Sequence, residues 1–220
     1  MFEEEREFSL NPINFFQISA DCLALPEAKK ESFPLLSSRN YHRYLLPDTS
    51  ALCIQNAFAE VALGWSREGI EAFINIKEQY QSSQYPNVSS GDSVELFLDT
   101  RDVKTSGHNT RFCHHFFFLP ESVEGHSAGE ITRFRTEDTH ELCNPKDLNV
   151  SAQFKKDSYQ LQIFIPSQCL NGYDPDQFDR LGFSYRINRF NGEPQHFSVT
   201  SDDYQIEQQP SLWSSLRLIT

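Results

Sequence analysis

The chain has 220 residues, with 31 acidic against 19 basic side chains and a formal net charge of −12. That length can bury a sizeable core as one large domain, and 19 phenylalanines lean the composition towards pleated, half-buried β surfaces. The charge, with no Lys/Arg-rich stripe, excludes a nucleic-acid partner and disfavours anionic membranes, because both depend on neutralising phosphates.

The first stretch, MFEEEREFSL, is acidic where a secretory signal should be basic and then apolar, and no apolar run approaches the roughly 20 residues that span a bilayer. Cys22, Cys53, Cys113, Cys143 and Cys169 are odd in number and show no CxxC spacing. Unpaired thiols in a reducing compartment are therefore expected, and a cytoplasmic protein is the default, with export by a signal-independent route left open. Residues 1–49 are weakly periodic and rich in Ser, Asn and Pro, which predicts an extension packed along the edge of a domain at 50–220. Within it, LPEAKKES near Pro26 could hold a helical turn or two.

From about Ala57 the period of two recurs. FAEVALGW aligns Ala59, Val61, Leu63 and Trp65; IEAFINIKE aligns Ile70, Ala72, Ile74 and Ile76; and SREG between them reads as a hairpin turn. SVELFLD follows with Val94, Leu96 and Leu98 on one side, then FCHHFFFL, EITRFRT and NVSAQF. YQLQIFIP aligns Tyr159, Leu161, Ile163 and Ile165, PSQCLNG could hold a helical turn, and LGFSYRIN aligns Leu181, Phe183, Tyr185 and Ile187. Asn191-Gly192 signals a tight turn before QHFSVT, and SLWSSLRL closes the series. Some nine short strands with regular turns predict an all-β fold: an antiparallel β-sandwich or jelly roll with an irregular N-terminal extension.

The series ALGW-(x)3-GIEAFINI, GDSVELFLDTRD and YQLQIFIP resembles carbohydrate-binding module family 9 and the related DOMON-like β-sandwiches. The blocks Asp99-Thr100-Arg101-Asp102, His108, Arg111-Phe112-Cys113-His114, Gly172-Tyr173-Asp174-Pro175, Leu181-Gly182-Phe183 and Pro210-Ser211-Leu212-Trp213 resemble DOMON-like proteins of planctomycetes and chlamydiae. The resemblance covers roughly 50–220. It implies a non-catalytic ligand-binding module, with a glycan as partner and calcium as an occasional ion.

The residues themselves keep several readings open. Asp99, Arg101, Asp102, Lys104, His108 and Arg111 should crowd the loop joining two hairpin strands, either as a structural tie of charge-assisted hydrogen bonds or as a ligand site at a sandwich end. Asp99, Arg101, Asp102, His108 and Arg111, with His114, form the candidate ligand-binding set. Cys113 and His115 share a strand face, but zinc needs about four ligands and no second pair stands at a recognisable spacing. His114, in phase with Phe116 and Phe118, reads as a hydrogen-bonded structural histidine. For calcium, Asp99, Asp102, Asp174 and Asp176 are candidates without a dedicated loop spacing. Haem ligation lacks its methionine, since Met1 is the only one. The sugar-binding mode that the resemblance implies stacks rings on exposed aromatics. Trp65 and Trp213 fall in core-phased strands and are expected inside, which leaves Tyr41, Tyr44, Tyr80 and Tyr85 as possible platforms. Glu95 and Asp99 have the spacing of any solvated strand face. No GxSxG, HExxH or phosphate loop is present, so no catalytic residue is assigned. An interaction factor for a protein partner is the alternative function, and a hydrolase the third.

Overall fold

A computed structural model of the chain describes residues 18–27, 33–201 and 204–220. Eleven strands form one sheet: β1 (Ser19–Ala24), β2 (Ala59–Ser66), β3 (Gly69–Ile76), β4 (Ser93–Asp99), β5 (Cys113–Val123), β6 (His126–Glu130), β7 (Asn149–Phe154), β8 (Tyr159–Pro166), β9 (Arg180–Arg189), β10 (Gly192–His196) and β11 (Ser214–Ile219). A four-residue α-helix, α1 (Ser50–Cys53), precedes β2 and is the one α-helix among the described residues. No helix among the described residues is long and apolar enough to cross a membrane.

The sheet order is β6-β5-β4-β9-β11-β1-β2-β3-β8-β7, with β10 added to β9. The sheet folds over on itself as a β-sandwich, because alternate residues of both halves must leave water together. Leu96, Leu98, Phe116, Phe118, Phe183 and Tyr185 from one half share a core with Val61, Leu63, Ile70, Ile74, Leu161 and Ile163 from the other. Two outer faces are also covered. Residues 33–46 bring Leu36, Tyr41 and Tyr44 onto Ala62 and Phe73. Residues 197–201 and 204–213 bring Val199, Ile206 and Trp213 onto Phe97 and Cys113.

The expected strands and turns appear with three differences. β1, from the N-terminal stretch, pairs parallel with both β11 and β2 and so lies inside the sheet, not along its edge; the sheet is mixed. The strand expected at EITRFRT is shifted forward: β6 ends at Glu130, with Gly129 lying under the Phe117 ring where a Cβ would come within 2.7 Å. QHFSVT is a strand only to His196, because Ser198 takes a left-handed φ of 67°. PSQCLNG holds one 3-10 turn (Ser167–Cys169). Of LPEAKKES, 25–27 carry no regular structure and 28–32 lie outside the described residues.

The thiol expectation is corrected at one pair. Cys143 and Cys169 form a disulfide across 26 residues, joined by folding and not by local spacing; Cys22, Cys53 and Cys113 are free and buried. Burial pushes the Cys113 thiol up to about 12, which leaves it an inert protonated group.

Candidate functional site

The loop after β4 is built as a tie. Asp99 is buried at the end of the strand, and its carboxylate accepts from the main-chain N–H of Arg101 (2.9 Å) and Val103 (2.7 Å). Burial raises its pKa in spite of those bonds. Arg101 donates to the carbonyls of Thr100 and Gly172 and lies between the Phe112 and Phe178 rings, 4.5 and 3.7 Å from their centroids. Gly172 (φ 76°) is required there, because a Cβ would meet the Phe112 ring at 2.7 Å. Asp102 accepts from Ser215 Oγ (2.6 Å) and pairs with Lys104 at 2.5 Å, while Lys104 also donates to the Trp213 carbonyl. Arg111 pairs with Asp138, and His108 shares that neighbourhood electrostatically.

Of the predicted set, Asp99, Arg101 and Asp102 are thus occupied in holding loop 100–112 to β11 and to the 171–178 turn. His114 points the other way, into the sandwich, and its Nδ1 lies 2.9 Å from Glu130 Oε1. The remaining calcium candidates are apart from these: Asp174 Oδ1 accepts from the main chain of Asp176 and Gln177, and Asp176 faces Arg67.

Glu95 overturns the expectation of a solvated strand face. It is buried, as is Asp99. Its two oxygens accept from His115 Nε2 (2.7 Å), from Arg186 Nε and Nη2 (2.8 and 2.9 Å) and from Asn188 Nδ2 (2.7 Å). Burial alone would raise its pKa, but His115 and Arg186 outweigh it and hold the carboxyl well below the usual range. Because Val199, Ile206 and Trp213 cover this face, alternation no longer means alternation between core and water.

Tyr41 and Tyr44 are also buried, Tyr80 packs against Phe154 and Tyr159, and half-buried Tyr85 stacks on His126 at 4.0 Å, so the four rings do not form one shared platform. Aromatic surface appears instead at the carboxyl ends of the three neighbouring strands β11, β1 and β2. There a cleft of about 410 Å³ is lined by Leu25, Phe33, Trp65, Arg67, Glu68 and Asp176 among others. Phe33 stacks on Phe164, centroids 4.9 Å apart and 10° from parallel. Trp65 belongs to the core as expected, its Nε1 donating to the Ile219 carbonyl (3.2 Å), yet its edge reaches the cleft. Arg67 grips Asp176 through Nε and Nη2 at 3.0–3.2 Å, with 70% and 63% of the two side chains still in solvent. The sequence signal for this place was the WSREG turn, read only as a hairpin. Phe33 comes from the stretch whose lack of periodicity hid it.

No protein-family model matches the chain, and no curated protein does. The fold is that of carbohydrate-binding module family 9. A module of that family from Caldicellulosiruptor kristjanssonii in complex with cellotriose aligns over 92% of this chain and 94% of its own, at TM-score 0.61 and 12% identity. A second structure of such a module from the same organism, in complex with glucose, aligns over 92% and 95% at TM-score 0.56 and 12% identity.

Proposed function

We propose that the protein is a non-catalytic carbohydrate-binding module that takes a short glycan in the cleft formed by Phe33, Trp65, Arg67, Glu68 and Asp176. The carrying observation is that apolar ring surface and solvent-exposed charged groups converge in one opening. A pyranose offers a C–H face to an aromatic ring and hydroxyls at its rim, which planar carboxylates and a guanidinium bind with paired hydrogen bonds. The Arg67–Asp176 pair fixes both groups beforehand, so less side-chain freedom is lost on binding. The fold neighbours in complex with glucose and cellotriose support the same ligand class.

Isothermal titration with glucose, cellotriose and a panel of other short oligosaccharides tests this. One ligand should bind, and Phe33→Ala and Arg67→Ala should each weaken it about tenfold or more while the melting temperature stays within a few degrees. Binding unchanged in both variants, or none across the panel, would remove the cleft as the site. A protein partner is the second reading. It is favoured by Leu52 and Ile54, which project from the region of α1 at 55% and 96% exposure.

A further inference from the structure

We infer that His114, Glu130 and His140 form a binding site for a divalent transition-metal ion of the zinc type, with two imidazoles and one carboxylate as protein ligands. The three come from separate segments. His114 is the second residue of β5 and points inward with Phe116. Glu130 ends β6 directly opposite Phe116, and so diagonally across from His114. His140 lies in the connection between β6 and β7, its ring centroid 4.4 Å from that of His114 and tilted 35° to it. Their ligand atoms all lie within 4.8 Å of one another.

Hydrogen-bond accounting around Glu130 points to a cation. Glu130 Oε1 faces His114 Nδ1 at 2.9 Å, His140 Nε2 at 2.8 Å and Thr132 Oγ1 at 2.7 Å, while Oε2 accepts from the Cys143 N–H at 2.7 Å. His140 Nδ1 lies 2.7 Å from the Arg111 carbonyl, which only accepts, so that nitrogen carries the proton. In a neutral His140 the lone pair of Nε2 then points at a carboxylate oxygen, and two acceptors at that distance repel unless a positive charge, a second proton or a metal ion, joins them. The far N–H on a main-chain carbonyl is what a metal-bound histidine shows, and its near nitrogen, which here faces Glu130, is the one that would ligate.

His114 supplies a second, independent observation. Its side chain is 0% exposed, and its buried Nε2 makes no well-formed hydrogen bond, having only a poorly aligned main-chain neighbour at Asn171. Such an atom is costly inside a protein. The ring also borders a hollow of about 370 Å³ shared with His140, Cys143, Cys169 and Asn171. Cys143 and Cys169 are bonded to each other and are not thiolate donors. A bound ion therefore has three protein ligands and one position open towards the hollow, for water or a ligand oxygen. Two imidazoles select zinc, cobalt, nickel or copper over calcium and magnesium, which prefer all-oxygen shells. The site stands apart from the glycan cleft and does not depend on it.

The full-length protein, treated with a chelator and dialysed without reductant, should take up one equivalent of Zn²⁺ and gain melting temperature. His140→Ala, on the connecting loop, should weaken binding about 100-fold or more, since even outer-shell partners cost 10–100-fold; His108→Ala should leave it unchanged. X-ray absorption of the zinc-loaded wild type should show two imidazole nitrogens and light oxygen or nitrogen donors. That readout decides the matter even if His140→Ala fails to fold. Absence of stoichiometric uptake, full binding by a folded His140→Ala, or a zinc shell without imidazole would overturn the inference. In those cases the cluster is a protonated histidine paired with Glu130.

Discussion

At the scale of the residue, the fold makes acids and histidines titrate far from their ordinary ranges by burying them among specific partners. His196 is an example that a pH series can read. It is buried, with Ser201 Oγ 2.7 Å from Nε2 and the Gln55 side chain on Nδ1, and burial with Arg186 nearby lowers its pKa to about 4. The unfolded chain takes up this proton near pH 6.5 and the folded one only near 4. His196 therefore adds no penalty above that window, and stability falls as pH drops through it, by at most about 3 kcal/mol. Denaturant titrations at pH 7, 5.5 and 4 should show this decline, and it should flatten in His196→Gln whatever that variant's stability at pH 7. A wild-type slope equal to the variant's would reject the assignment. None of this was legible in the sequence. His114 read as a structural histidine because its phase with Phe116 and Phe118 was visible, whereas Glu130 and His140 stood 16 and 26 positions away with no spacing rule to join them.

At the scale of the element, the period of two located nearly every strand, because β2, β3, β4, β8 and β9 carry large apolar residues at alternate positions. β1 escaped because SADCLA alternates only small residues, Ala20, Cys22 and Ala24, whose burial is decided by neighbours far away in the chain. The platform residue Phe33 escaped for a similar reason, since its segment is held by a side chain from elsewhere. Glu71, buried on β3, accepts from the main-chain N–H of Leu35 (2.7 Å) and Leu36 (2.6 Å) and so hangs residues 33–36 on the sheet. Glu71→Gln replaces one accepting oxygen by an N–H that faces other N–H groups. It should cost about 1–3 kcal/mol and, by loosening Phe33, should weaken glycan binding along with stability. Calorimetry and titration on the one variant check both, and loss of neither would show that the segment holds itself.

At the scale of the whole molecule, the sheet is continuous through β1, which joins the half containing β9 and β11 to the half containing β2 and β3. Ser19 registers with Ser215, and Arg217 donates to Asp21 Oδ1 at 2.8 Å across 196 residues. Cutting the chain after Leu212 would remove β11 and leave β9 and β1 as two open edges flanking an exposed core. That truncated chain should collect in aggregates, against a soluble full-length protein, when the two are compared by size-exclusion chromatography at equal concentration. A soluble, cooperatively melting truncation would show that the halves fold apart. The seam also sets a timetable for synthesis. β11 is the last of these strands to leave the ribosome, and until it emerges β1 can only pair with β2 and wait. The nascent protein must hold the place of β11 open from the emergence of β1 until β11 follows, a slow and exposed route typical of long-range β pairing.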